Sequence, residues 1–151
     1  MCLIPGCALI QPGRPPAATE SVPWRGRLSL VVASNPAQNL YAGFELSGGP
    51  LSGSLVLSGP LGSTVASLRW SPEAAFLTSQ GETRRFNTLD ELTTELTGSA
   101  LPINALFEWL QGHAVAAENW EVDLSRLNDG RLMARRLQTE PQAELRLILE
   151  P

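Results

Sequence analysis

From Arg25 onward the apolar residues recur mostly at every second position, which is the period of a half-buried β-strand. Leu28, Leu30 and Val32 share one face, with Arg27, Ser29 and Val31 opposite. Leu40, Ala42, Phe44 and Leu46 share the next, opposing Tyr41, Gly43 and Glu45. Gly48-Gly49-Pro50 interrupts the chain, and Ser54 to Ser58 reads as a third strand. In Thr64 to Ser71, Ala66, Leu68 and Trp70 alternate with Val65, Ser67 and Arg69. After the turn Ser71-Pro72-Glu73, short strands at Ala75–Ser79 and Glu82–Phe86 flank Gln80-Gly81, a tight-hairpin pair.

The period then becomes helical. Thr88 is a good N-cap and Glu91, three residues on, completes a capping box. Leu89, Leu92 and Leu96 lie along one side, and Gly98 is a natural stop. A second helix is expected from about Pro102, with Ile103, Leu106, Phe107 and Leu110 on one stripe and Gly112 as its stop. Alternation returns at Trp120, Val122 and Leu124; Asp129-Gly130 turns into Arg131–Gln138, and Ala143 to Glu150 closes the chain with Leu145, Leu147 and Leu149 in phase. Two short amphipathic helices need a surface to lie on. The expected fold is therefore mainly β, an α+β arrangement in which a curved antiparallel meander carries helices over its concave side.

Between the third and fourth strands stands Gly59-Pro60-Leu61-Gly62-Ser63-Thr64. Pro60 suits position i+1 of a type I turn and Gly62 suits i+3, which puts Leu61 at the tip. Hairpin tips face water and usually carry polar residues. A leucine there either packs beneath a neighbouring loop or touches something apolar.

Composition narrows the choice of function. The 151 residues, 43% hydrophobic and 17% charged, suit one folded domain with a sizeable core. The net charge of −4, with no basic cluster beyond Arg84-Arg85 and Arg135-Arg136, argues against nucleic acid as a partner. All eleven basic residues are arginine, for which the sequence offers no functional reason. No apolar run approaches the roughly 18 residues needed to span a bilayer.

The N-terminus has its own pattern. Leu3-Ile4-Pro5-Gly6-Cys7 resembles the end of a bacterial lipoprotein signal, which is cut before a cysteine that is then acylated. Six residues are too few for a charged region followed by an apolar region of ~7–15 residues. Residues 1–7 are accordingly expected to be the remnant of a longer signal, 8–23 a Pro-rich tether, and 24–151 the folded domain. A Cys2–Cys7 disulfide and two incidental thiols are the competing readings of the cysteines.

Candidate chemistry is sparse. His113, the single histidine, follows the second helix without evident partners for general-base work. No G-x-S-x-G elbow, metal-ligand spacing or phosphate-binding glycine loop occurs, and Glu91 and Glu95 read as a solvated helix face. No catalytic residue, metal or cofactor is assigned. What remains is apolar. Leu28, Leu30, Phe44, Leu46, Leu57, Leu68, Trp70, Phe107 and Leu110 are the candidate lining of a cavity for an acyl chain, although a dry core would require the same inward residues.

At this point a family resemblance is legible. The Pro60-Leu61-Gly62-Ser63 turn resembles that of the LolB family of Gram-negative outer-membrane lipoprotein receptors. Leu96-Thr97-Gly98-Ser99-Ala100-Leu101-Pro102-Ile103 is similar to that family's helix-break-proline segment, and Leu106-Phe107-Glu108-Trp109-Leu110-Gln111-Gly112 to its L-x-x-W-[IL]-x-G helix. Trp120 sits where the family's next strand begins, so the resemblance spans roughly residues 24 to 150.

The resemblance implies an incomplete antiparallel β-barrel with a short α-helical lid over an apolar cavity. It implies receipt of acylated lipoprotein cargo from a LolA-like periplasmic carrier and delivery into the inner leaflet of the outer membrane, without cofactor or metal. It further implies a monomer anchored on the periplasmic side through Cys7, with Pro60, Leu61 and Gly62 as the membrane-insertion loop. The alternative is a lipid-anchored structural or chaperone-like β protein with a filled core and no acyl cargo.

Overall fold

The computed structural model describes residues 23–97, 100–117, 119–138 and 140–150. Cys7, the expected signal remnant, nearly all of the tether and the Gly98 stop lie outside the described residues.

Among the described residues, nine strands and two α-helices follow the order β1 (Trp24–Val32), β2 (Gln38–Gly48), β3 (Gly53–Ser58), β4 (Thr64–Trp70), β5 (Ala75–Ser79), β6 (Glu82–Phe86), α1 (Leu89–Thr97), α2 (Ile103–Leu110), β7 (Glu121–Asp123), β8 (Arg131–Arg136) and β9 (Ala143–Leu149). They form one sheet, ordered β6-β5-β4-β3-β2-β1-β9-β8-β7, in which every pairing is antiparallel. β6 and β7 are its two edges, so the barrel is unclosed. The last strand crosses back to pair with the first, which places β9 inside the sheet between β1 and β8.

Alternation decides which face is inside. Leu28, Leu30, Val32, Phe44, Leu46, Leu55, Leu57, Ala66, Leu68, Trp70, Ala75, Leu77, Leu132, Ala134, Leu145 and Leu147 are buried and form one cluster with the helices. Their strand neighbours face outward. Gly26 permits the β1–β9 pairing: a Cβ there would lie 1.9 Å from the Ile148 carbonyl oxygen. The β5–β6 hairpin is closed by Gln80 and Gly81, both at positive φ, as the expected two-residue turn requires.

The helices sit against the inner face, α1 packing on β5 and β6. The Thr88 hydroxyl accepts the Glu91 N–H at 3.1 Å, as an N-cap should. The Glu91 carboxylate returns to the Asn87 N–H at 3.2 Å, one residue before the cap of an ideal capping box. Pro102 is the N-cap of α2 and its carbonyl accepts the Leu106 N–H. At the other end Gly112 donates to the Trp109 carbonyl and His113 to the Glu108 carbonyl, the paired bonds of a Schellman stop.

Several elements differ from expectation; β7 covers only Glu121–Asp123, which leaves Trp120 and Leu124 of the expected alternation outside it. β8 ends at Arg136 rather than Gln138, where the chain leaves the sheet for the β8–β9 loop. Leu127–Asp129 forms a single 3-10 turn ahead of Gly130, a local structure whose period is too short to show in an apolar pattern.

Candidate functional site

The Gly59–Ser63 turn is held by two backbone bonds. The Gly62 N–H donates to the Gly59 carbonyl at 3.0 Å, which is the expected i to i+3 closure, and the Gly59 N–H donates to Ser63 at 2.9 Å. Gly62 sits at φ +88°, a conformation that L side chains rarely adopt. Pro60 fixes the preceding dihedral, and Leu61 at the tip is 95% exposed. The buried alternative for this leucine is excluded.

The nine candidate cavity residues all point inward and all are buried. β1, β2, β3 and β4 contribute Leu28, Leu30, Phe44, Leu46, Leu57, Leu68 and Trp70, and α2 contributes Phe107 and Leu110. Trp70 and Phe107 meet edge to face at 6.2 Å, joining the lid to the wall. In this state the interior is packed. A cavity of about 90 Å³ between Leu30, Val32, Leu40, Leu96 and Thr97 is well below the ~300–1,000 Å³ of ordinary ligand pockets. A larger groove of about 490 Å³ lies where Leu89, the Leu101–Ala105 stretch and Glu108 face Val115–Ala117 and Trp120.

The lid carries polar fastenings that the apolar pattern does not reveal. Thr93 is fully buried; its hydroxyl donates to the Asp90 carbonyl and accepts the Leu101 N–H at 3.1 Å, tying α1 to the end of the α1–α2 link, just before the Pro102 N-cap of α2. The Thr97 hydroxyl donates to the Thr93 carbonyl at 2.8 Å. The Trp109 indole N–H donates to the Val115 carbonyl at 2.9 Å, fixing the loop after α2. A Thr-Thr pair inside an amphipathic helix was the available signal for Thr93, and a Trp off the apolar stripe the signal for Trp109.

Ionisable groups sit at the periphery. His113 Nδ1 pairs with Glu108 Oε1 at 2.8 Å on an exposed helix end. The Ser125 hydroxyl and amide, aided by the Arg135 and Arg126 guanidiniums, hold the exposed Asp123 carboxyl below the usual carboxylate range. Among the described residues no three His, Cys, Asp or Glu side chains gather as a metal site, and no helix is long and apolar enough to cross a membrane.

An unclosed antiparallel barrel with two helices laid against its apolar inner face defines the lidded open-barrel class. The family described as "Outer membrane lipoprotein LolB" matches residues 23–133, and the chain belongs to that family. The matched region ends within β8 and so stops short of β9. Among relatives, the outer-membrane lipoprotein LolB of Bordetella petrii is 29% identical over 92% of this chain and 81% of its own length. Its namesake from Klebsiella pneumoniae strain 342 is 27% identical over 80% of this chain and 66% of its own.

Proposed function

We propose that this protein receives acylated lipoproteins from a LolA-like periplasmic carrier and inserts them into the inner leaflet of the outer membrane. The observation that carries the proposal is Leu61, 95% exposed on a turn closed by two backbone hydrogen bonds. A bilayer would bury the side chain that water leaves exposed. Family membership supports the same reading, since LolB relatives are outer-membrane lipoproteins by name.

The physics of hand-off suits an apolar interior. An acyl chain gains about 0.8 kcal/mol per buried CH2 in a protein cavity or a bilayer alike, so transfer turns on a small difference between two similar burials. The interior is closed around its own side chains, so cargo would enter as α1 and α2 move off the inner face. The groove beside Leu101–Ala105 is the mouth in this reading. Cys7 is the proposed lipid attachment. Mass spectrometry of membrane-extracted protein should find it acylated, and an unmodified Cys7 there would remove the anchor.

Leu61→Glu is the direct test. The side chain is almost wholly in water, so melting temperature and binding of a fluorescent acyl probe should be unchanged. Release of cargo into liposomes should fall by about tenfold or more, since burying a leucine in lipid contributes about 1.5–3 kcal/mol. A variant that releases cargo at the normal rate would sink the role.

The near-complete burial of the nine inward residues favours a second reading, a lipid-anchored structural or chaperone-like protein with a filled core. The two part on saturable binding of the acyl probe, which only a receptor shows.

A further inference from the structure

The outward walls of the sheet are charged very unequally. On β1, β9 and β8 the outward positions carry Arg25, Arg27, Glu144, Arg146, Arg131 and Arg135. On β3, β4 and β5 the corresponding cross-strand rows read Ser54–Arg69–Phe76 and Val56–Ser67–Thr78, followed by Ser58 opposite Thr64. Arg69 is the one ionisable side chain on that wall. Exposed Val65 lies at the bulge beside Ser58.

A second leucine brackets the same wall. Gly49-Pro50-Leu51-Ser52 joins β2 to β3 and repeats the Gly-Pro-Leu of the next turn ten residues later. Leu51 is 75% exposed. Its turn is closed by the Gly49 N–H donating to the Ser52 carbonyl at 2.9 Å, and is pinned by the Trp70 indole N–H donating to the Gly49 carbonyl at 3.0 Å. β3 runs between the two turns, so Leu51 and Leu61 stand about 20 Å apart at opposite ends of one strand. A protein that met a bilayer only by the Leu61 tip would have no use for a second rigid leucine at the far end.

We propose that the outer wall of β3–β4–β5 is the membrane-contacting face, lying along the bilayer surface with Leu51 and Leu61 seated at its two ends. Serines, threonines and valine lose little on approaching an interface. Arg69 is compatible with this placement because its stem can lie along the surface while its guanidinium reaches lipid phosphate. The wall rests on the proposed membrane role of Leu61 and extends it from one residue to a face.

The test uses the full chain with Cys2 and Cys7 replaced by serine and single cysteines introduced as Leu51→Cys, Leu61→Cys, Ser67→Cys and Ile148→Cys. Each carries an environment-sensitive fluorophore and is mixed with phosphatidylethanolamine–phosphatidylglycerol liposomes. Positions 51, 61 and 67 should shift to the blue, while 148, an exposed apolar site on the charged wall, should not. A shift at 61 without 51 and 67 overturns the flat-lying face and leaves Leu61 as a tip contact. No shift at any of these three removes both the face and the membrane role of Leu61. In a second measurement Leu51→Glu should weaken liposome association about tenfold with an unchanged melting temperature; unchanged association also overturns the proposal.

Discussion

At the scale of single residues, side chains of similar chemistry do different jobs because backbone geometry aims them differently. Leu57, one residue before the end of β3, is buried at 1% exposure, and Leu61, four residues later, is at 95%. The difference is the Pro60–Gly62 turn and not the leucine. Trp109 shows the converse, a large residue whose polar atom matters. Its ring is fully buried and its indole N–H is satisfied by the Val115 carbonyl. Trp109→Phe should cost about 1–3 kcal/mol by orphaning that carbonyl, read by urea denaturation. Increased proteolytic cleavage near Val115 should accompany it, and an unchanged midpoint would mean that the loop is held by other contacts.

Elements here are specified locally and positioned globally. The Thr88–Glu91 cap and the Gly112 stop delimit α1 and α2 from within, which is why both helices were legible in the apolar pattern. Their place on the inner face depends on Trp70 meeting Phe107 and on Thr93 reaching Leu101, contacts between residues far apart or off the apolar stripe. The β1–β9 pairing is the longest-range element contact, and it depends on one glycine. Gly26→Ala would drive a methyl into the Ile148 carbonyl, forcing β1 and β9 apart. The expected loss is several kcal/mol, at or above the ~1–3 kcal/mol of ordinary overpacking, with early hydrogen exchange in β9. Normal protection of β9 amides would show that the backbone yields more cheaply.

For the whole molecule the question is whether the interior can open. Unclosed edges at β6 and β7 leave room for the sheet to flex, and the helices reach the wall mainly through side-chain packing. If cargo enters, an acyl probe is a ligand of the folded state. At a hundredfold excess over its Kd it should stabilise the protein by about 2.7 kcal/mol, visible as a raised melting temperature. A melting temperature indifferent to probe would favour the filled core. The candidate lining was legible because a cavity and a core demand the same inward residues, and for that reason the sequence could not tell one from the other.

By itself the sequence determined the strand faces, both helices, the turn that carries Leu61 and the resemblance to the LolB family, because each is written in residues near one another along the chain. Only the tertiary structure decided that Leu61 stands in water, that β9 returns to pair with β1, and that a second leucine marks the far end of a nearly uncharged wall. Those facts depend on which strands pair and in what register. Pairing is settled by the burial of one common face, a property of the assembled sheet that no local stretch of sequence contains.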